Sequence, residues 1–449
     1  MLDKKKVFIA SFWVVLIFGL SQFVRLGSNL IITRLLAPEM FGVMAVVNVV
    51  VYGIAMFTDI GLYAFLIRHK NPEDPHLLNV VWTLQVIRGW LMFFIVLLLA
   101  AFLALGNLYS PSYFSGIYAD SRLPLLIIIV GVGSLILGYK SMASPMMSRK
   151  LEVGKLELME LLSQLAGVTL MIIWVWFRPS IWALAATSIF SALTNTFLTY
   201  YLFPYRHKFI LDKTIAKDVF HFSKWIVIAS VLTYLFSQGD KLFFAGKIEA
   251  AELGIYSIAF MLVATLISVT QTLAEKIMFP VFSSLAHGEK SILKQRYYQV
   301  RLYLDAPIFF VTGLLIAFIQ TIVDFLYDPR YASAGWMFEI LIFSVIGSTL
   351  SLVSMECLAA LSVTKVRMWV MLIRTIGLFI GLPLFFNLYG FYGAIWVVAL
   401  NVWLSLPVIY WTLAKNSVFS FFKEIRMLPL IAIGYLIGST LLKLEHFFK

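Results

Sequence analysis

Apolar residues in this chain come in unbroken blocks rather than with the 3.6-residue period of a soluble helix. Blocks of about 20 residues are long enough to cross a hydrocarbon core of about 30 Å. Inside that core backbone N–H and C=O groups must bond to one another, which leaves helices or closed barrels. The alternating pattern of a membrane barrel is absent. The expected fold is therefore an all-α polytopic membrane protein. Composition agrees: the 449 residues are 61% hydrophobic, with a mean hydropathy of +0.92. A division into soluble domains by length does not apply.

Twelve spans are expected, near residues 11–33, 39–66, 79–105, 123–144, 156–177, 181–203, 220–245, 252–278, 302–326, 334–361, 367–387 and 391–414. A short apolar stretch, Met427–Leu442, is either a thirteenth span or an interfacial helix. The spans predict a six-helix bundle over 1–203, a cytoplasmic connector over 204–218 and a second six-helix bundle over 219–414. Residues 415–449 add a cytoplasmic segment and the extra hydrophobic helix. Basic residues alternate between the loops. One side collects Lys4–Lys6, Arg68, Lys70, Arg149, Lys150, Lys155, Arg206, Lys208, Lys213, Lys217, Lys290, Lys294, Arg296, Arg301, Lys365, Arg367, Lys415, Lys423 and Arg426. The other holds only Arg34, Arg122, Arg178, Lys247 and Arg330. This bias places the N-terminus in the cytoplasm. No cleavage site follows the first apolar run, so no removable signal peptide is expected.

A faint internal repeat supports two halves. Leu36–Val43 joins spans 1 and 2, and Ile248–Ile255 joins spans 7 and 8; Gly42 and Gly254 are 212 residues apart, as are Gly27 and Gly239. An offset of six spans keeps the halves parallel, which predicts a pseudo-twofold along the membrane normal. Transporters place substrate between such repeats.

Several charges lie inside the apolar blocks: Arg25, Arg88, Lys241 and Arg374, with Asp59, Asp240 and Glu356. Each costs about 2.5–3.5 kcal/mol at the bilayer centre on insertion scales, so each must face a partner or a wet cavity. Gln22, Arg25 and Asn29 share one face of span 1. Gln85 lies near Arg88 in span 3, and Gln238 near Lys241 in span 7. Such stripes suit an anion. Guanidinium groups bind phosphate through paired hydrogen bonds and lysine adds a mobile charge, while Gln22, Asn29, Gln85 and Gln238 suit sugar hydroxyls. The candidate substrate residues are Arg25, Gln22, Asn29, Gln85, Arg88, Gln238, Lys241 and Arg374. Asp59, Asp240 and Glu356 are the ion-coupling candidates.

Structural readings stand beside these. Arg88 and Arg374 are near enough to the cytoplasmic end to snorkel. Asp59 is placed to pair with Arg88, and Asp240 with Lys241. Glu275 and Lys276 belong at the surface, and Cys357 reads as a packing residue. Arg25, far from both interfaces, is the least easily explained this way.

Other chemistries find no support. The net charge of +12 is spread over the loops of a membrane protein and does not imply nucleic acid. A single cysteine precludes an internal disulfide or a cysteine metal cluster, and the six histidines show no metal spacing. No phosphate-cradling loop and no nucleophile–His–acid set is recognisable. No cofactor and no enzymatic activity are expected, and transport would draw on a gradient.

Three segments of the first half carry a family resemblance: Thr33–Ala45, Asp59–Leu62 and Trp82–Gly89. Phe222–Trp225, Gln238–Lys241, Leu253–Ala259 and Tyr331–Met337 carry it in the second. Over nearly its whole length the chain resembles the oligosaccharide and polysaccharide flippases (Wzx-like) of the superfamily that also holds multidrug extruders and lipid II flippases. The resemblance implies two facing six-helix bundles, alternating access, and a polyprenyl-pyrophosphate-linked oligosaccharide flipped across a bacterial inner membrane. It implies that cavity cations engage the pyrophosphate, a role carried here to Arg25, Arg88, Lys241 and Arg374. Membrane lipids, H+ or Na+ as coupling ion, and polysaccharide polymerase and export proteins are the partners to consider. Ser223 departs from the glycine common in relatives. The runner-up reading is an ion-coupled extruder of organic cations from the same superfamily; cations at least as numerous as carboxylates within the spans favour an anionic substrate instead.

Overall fold

A computed structural model describes residues 4–109, 115–150, 152–286 and 288–448. Met1 and His287 lie outside the described residues, as do the side chains of Lys4–Lys6, Trp225 and His446. The described elements are helices in the order α1 (Lys4–Leu35), α2 (Pro38–Phe57), α3 (Leu62–Arg68), α4 (Pro75–Tyr109), α5 (Leu123–Gly138), α6 (Ala143–Arg149), α7 (Val153–Phe177), α8 (Ile181–Leu202) and α9 (Lys213–Ala245). They continue with α10 (Ala250–Leu273), α11 (Phe279–Leu285), α12 (Lys290–Leu326), α13 (Ala334–Leu341), α14 (Phe343–Ala360), α15 (Lys365–Leu400), α16 (Leu406–Lys415), α17 (Phe421–Ile425) and α18 (Pro429–Phe448). Among the described residues ten helical stretches are long and apolar enough to cross a membrane, and twelve when each bent pair counts as one span.

One of the ten, Lys365–Lys415, runs for 51 residues. At about 1.5 Å per residue it is far longer than a bilayer is thick. Gly390 breaks it, with φ 64° and ψ −153°, a region open essentially to glycine alone. Gly381 packs on Val397 and Gly377 on Leu404, contacts centred near that break. The two arms therefore fold back on each other, and they are the eleventh and twelfth spans of the sequence reading. Phe421–Leu444 is long enough to cross, and α18 lies along α12, where Gly313 meets the Ile431 carbonyl and Gly434 the Phe310 carbonyl. Small residues of this kind let helix backbones approach without a hydrophobic driving force.

The chain separates into two compact units, Met1–Gly254 and Ile255–Lys449. In the first, α1 packs on α7, α7 on α8, α8 on α5 and α5 on α4. The seventh span, α9, also packs within this unit, against α2, although the expected second bundle began at residue 219. Tyr234 Oη donates to the Val49 carbonyl at 3.2 Å, and its ring fills the space beside Gly53. Ser223, fully interior, donates its hydroxyl to the Ile60 and Val219 carbonyls, so the departure from glycine supplies a tie between α9 and the turn after α2.

The repeat takes a concrete form at the starts of α2 and α10. A Cβ built on Gly42 would lie 1.8 Å from the Ala250 carbonyl oxygen, and one on Gly254 would lie 2.0 Å from that of Pro38. Ala250 stands 212 residues after Pro38, just as Gly254 does after Gly42. Each residue thus meets the repeat-mate of its own partner's position, which is the signature of a two-fold contact. Both sites exclude any side chain, which explains why these two glycines stood out.

The second unit is built around Phe282, Leu293, Tyr297, Phe309, Cys357, Leu358, Ile409 and Leu413. Cys357 is a core packing residue, as its sequence context suggested. Within this apolar setting sits a charged knot. Arg301, read in sequence as a cytoplasmic loop charge, is 2% exposed. Its Nε donates to Asp305 Oδ2 at 2.8 Å and one Nη to Glu424, and Nη1 also reaches the Tyr297 hydroxyl at 3.0 Å. Tyr298 donates to Glu424 Oε1 at 2.9 Å, and the Ser420 N–H donates to Tyr298 Oη at 2.7 Å. Tyr297 Oη is 2.9 Å from Ser354 Oγ on α14. The knot ties α17, and so the entry to α18, to α12 and α14.

Removing the cation would strand two buried carboxylates, which typically costs about 3–5 kcal/mol. Arg301→Met is therefore expected to lower the thermal unfolding midpoint of the detergent-solubilised protein markedly. Arg296→Met, on the exposed side of the same helix, should change stability by no more than about 0.5 kcal/mol. Equal midpoints for the two variants would show that the knot contributes little.

Candidate functional site

Helix α1 carries the stripe that the sequence marked most strongly. Its position is set by α7: Ser21 Oγ donates to Gln164 Oε1 at 2.6 Å, and Gln164 Nε2 returns to the Ser21 carbonyl at 3.3 Å. One turn further on lies Arg25, half-buried, between Gln22 and Asn29. Gln22 Oε1 and Asn29 Oδ1 are buried and meet no hydrogen-bond partner among the described residues. Such groups are costly in an apolar setting, and on α1 two of them flank a guanidinium.

Arg88 and Asp59 form the pair that their spacing allowed. Arg88 Nη1 is 3.9 Å from Asp59 Oδ1, while Nη2 donates to the Ala55 carbonyl at 2.8 Å. Asp59 also accepts from the Gly61 N–H at 3.0 Å, closing the left-handed turn between α2 and α3, and is 3.5 Å from Ser230 Oγ. Arg88 borders a cavity of about 220 Å³ with Gln85, Ser134 and the close contact of Gly89 with Gly138. Gln85 does not point its amide nitrogen at open space. That nitrogen donates to the Gly138 carbonyl at 3.0 Å and to that of Lys140 at 2.9 Å, capping the end of α5. On α9, Lys241 Nζ donates to Gln238 Oε1 at 3.2 Å, and Asp240 is 3% exposed.

Arg374 and Glu356 belong to the second unit. Arg374 Nε donates to Ser405 Oγ and Nη2 to Ser351 Oγ, both at 2.9 Å, which ties α15 to α14 and to the turn before α16. Glu356 is 7% exposed and lies 3.4 Å from Arg367. Glu275 and Lys276 are exposed, in a π-helical turn after α10, where Gln271 donates to Glu275 at 2.7 Å.

The connector is a docked element rather than a free linker. The His207 ring stacks on Trp82, with centroids 5.3 Å apart and planes 10° from parallel, and Tyr205 packs against it. Asn79 and Thr83 accept the N–H groups of Lys208 and Ile210 at 2.9 and 3.0 Å. Asp212 accepts from the N–H groups of Thr214 and Ile215 at the start of α9 and pairs with His76 at 3.0 Å. Much of the polar face of α4 is thus occupied by this segment and by the end of α5.

Residues 31–334 match the family described as polysaccharide biosynthesis protein, about two thirds of the chain. The chain belongs to this family. Two curated relatives resemble this chain. One is the teichuronic acid biosynthesis protein TuaB of Bacillus subtilis (strain 168), 22% identical over 241 residues, which are 53% of this chain and 47% of TuaB. The other is the lipopolysaccharide biosynthesis protein WzxC of Escherichia coli (strain K12), 23% identical over 266 residues, which are 57% of this chain and 50% of WzxC. The chain spans about half the length of each. In fold, the chain is similar to the lipid II flippase MurJ in an inward closed conformation, with a TM-score of 0.68, 11% identity and coverage of 97% of this chain and 99% of that one. It is also similar to an inward-facing multidrug resistance MATE family transporter of the MOP superfamily, with a TM-score of 0.65, 12% identity and coverage of 90% and 98%. The multi-pass, all-α fold expected from the apolar blocks is the one found.

Two features emerge only with the structure. Lys140 lies within the expected fourth span, at the break between α5 and α6. Arg301 and Asp305 carried a usable signal, a basic and an acidic residue four apart at the mouth of an apolar block. Their third member, Glu424, is 119 residues beyond Asp305 and had no local signature.

Docking of the connector is expected to respond to acid. Burial pushes the His207 imidazole down to about 4, and the hydrogen bond from His76, with the α9 amides, holds Asp212 at about 2. Between about 6.5, the unfolded value, and about 4 a released His207 takes up a proton that the docked ring refuses. Stability conferred by docking is present above that window and lost as pH falls through it. Exchange of the Lys208 and Ile210 amides, corrected for intrinsic rates, is expected to accelerate from pH 6.5 to 4 and to stay level over that window in His207→Phe. The same acceleration in both proteins would place the acid sensitivity elsewhere.

Proposed function

We propose that this protein is a flippase for a polyprenyl-pyrophosphate-linked oligosaccharide. It moves the oligosaccharide from the cytoplasmic to the outer leaflet of a bacterial inner membrane by alternating access, for synthesis of an exopolysaccharide, capsule or O-antigen. The observation that carries the reading is Arg25: a half-buried guanidinium in the middle of a lipid-length helix, flanked by Gln22 and Asn29 whose buried oxygens await partners. A diphosphate complements a guanidinium, and sugar hydroxyls complement the amides. Membership of a polysaccharide biosynthesis family supports the reading, as do a lipid II flippase among the similar folds and relatives named for lipopolysaccharide and teichuronic acid biosynthesis.

The charge bias of the loops supports a cytoplasmic N-terminus, and the 212-residue repeat supports two six-helix halves. Lys241 and Arg88 are secondary anion contacts in this scheme. Arg374, held by two serines, contributes long-range charge more readily than direct contact. Coupling to H+ or Na+ falls to Glu356, with Asp59 and Asp240 as further candidates, and polymerase and export proteins would act on the delivered product. An organic-cation extruder would use the same fold, but a site built on Arg25 repels a cation.

Arg25→Ala is expected to abolish polymer export while the protein still reaches the membrane, measured by surface polysaccharide and by membrane abundance in a strain lacking the native copy. Normal export would remove Arg25 from the mechanism. For coupling, Glu356→Gln should slow uptake of lipid-linked saccharide driven by a pH gradient in proteoliposomes. Transport equal to wild type at every imposed gradient would leave Glu356 a purely structural partner of Arg367.

A further inference from the structure

The fourth span is interrupted. Helix α5 ends at Gly138, α6 begins at Ala143, and their axes differ by 57°. A break at membrane depth exposes backbone groups that hydrocarbon cannot satisfy, and it is tolerated only where protein or a polar cavity covers it. Here the cover is specific. Gln85 takes the Gly138 and Lys140 carbonyls, and Tyr200 Oη donates to the Tyr139 carbonyl at 2.9 Å. Thr199 Oγ1 accepts the Ser141 N–H at 3.1 Å, and His207 Nε2 accepts that of Met142 at 3.3 Å. Side chains from α4, α8 and the connector converge to hold a kink open.

At that kink stands Lys140. A lysine after a helix C-terminus ordinarily covers the last carbonyls and complements the negative end of the helix dipole. Gln85 and Tyr200 already do this, so the ammonium is not needed as a cap. Lys140 is half-buried and forms no hydrogen bond or ion pair with a described side chain. The charge that acts on it is Glu160 on α7, and the two are not in contact as an ion pair. Glu160 lies one turn before Gln164, which holds Ser21, itself one turn before Arg25. As first and fifth spans, α1 and α7 run in the same direction. The Glu160 level and Arg25 are therefore about 12 Å apart along the span axis, at 1.5 Å per residue.

We propose that Lys140 is a second anion-binding residue for the diphosphate of the substrate's lipid carrier, presented by the kink in the fourth span. It lies deeper toward the cytoplasmic side than Arg25. The inference rests on the flippase reading above. A lysine suits this station because its ammonium is a mobile point charge on a flexible stem, able to release a diphosphate to a second cation, where a bidentate arginine would grip it. Lys140 and Arg25 then form two rungs on one polar tract of the first unit, linked through Glu160, Gln164 and Ser21.

The test uses the full-length protein in nanodiscs, with farnesyl pyrophosphate as probe and calorimetric titration as readout. Wild type is expected to bind. Lys140→Gln should weaken binding about tenfold or more, the usual loss of one charge-assisted hydrogen bond. Lys140→Arg should stay within about threefold of wild type, and Glu160→Gln should bind as well as wild type or more tightly, since it removes a competing anion. Wild-type affinity in Lys140→Gln, alongside weakened binding in Arg25→Ala, overturns the role of Lys140 and leaves the flippase reading standing. No binding by wild type overturns the flippase reading itself. Should Lys140→Gln fail to fold, the other two variants decide. Weakened binding and lowered melting temperature in Glu160→Gln would show a structural Lys140–Glu160 couple and overturn the proposal.

Discussion

Hydrocarbon cannot hydrogen-bond, and most of what is distinctive in this protein answers that constraint. Wherever the backbone departs from a helix at membrane depth, side chains are recruited to it. The kink after Gly138 draws on Gln85, Tyr200, Thr199 and His207, and the turn after α2 draws on Asp59 and Ser223. Charges follow the same rule. Arg301 is enclosed by two carboxylates and a tyrosine, Arg374 by two serines, and Arg88 by a carbonyl and a nearby aspartate. Gln22 and Asn29, both on α1 in the first unit, are among the residues whose buried oxygens meet no hydrogen-bond partner among the described residues.

This sorting separates polar residues that build the fold from those available to a substrate. Gln85 and Arg374 looked like substrate contacts because a polar side chain in an apolar block is costly whatever its purpose. Cost alone does not distinguish a backbone cap from a binding group; only the partner does. The connector illustrates the same point. Its polar sequence resembles a flexible loop, yet three of its backbone and ring groups are received by Asn79, Thr83 and Trp82.

What the sequence made legible was whatever repeats or runs locally. Span positions, the polar stripe on α1, the Asp59–Arg88 pairing and the special status of Gly42 and Gly254 all lie within a helix or at a fixed offset, and the structure displays each. The illegible parts depend on long-range meetings. Nothing near Arg301 announces Glu424, and nothing near Lys140 announces that Gln85 and Tyr200 have taken over its capping duty. The contact boundary at Gly254 is another such case, because α9 chooses its neighbours through Tyr234 and Ser223, residues unremarkable in an apolar helix.

The reversal at Gly390 has a consequence for depth. A hairpin with no polar loop has only its tip to mark where the bilayer ends, and that tip exposes Leu388, Tyr389 and Tyr392. Tyrosines settle at the headgroup level, so the tip is anchored at one membrane surface. Arg374 stands 16 residues before Gly390, at most about 24 Å along a helix of 1.5 Å per residue that carries Pro383 between them. In a core of about 30 Å that is close to the opposite surface. The hairpin works as a ruler: one glycine and two tyrosines fix how far from that surface a guanidinium is carried, without any contact between them.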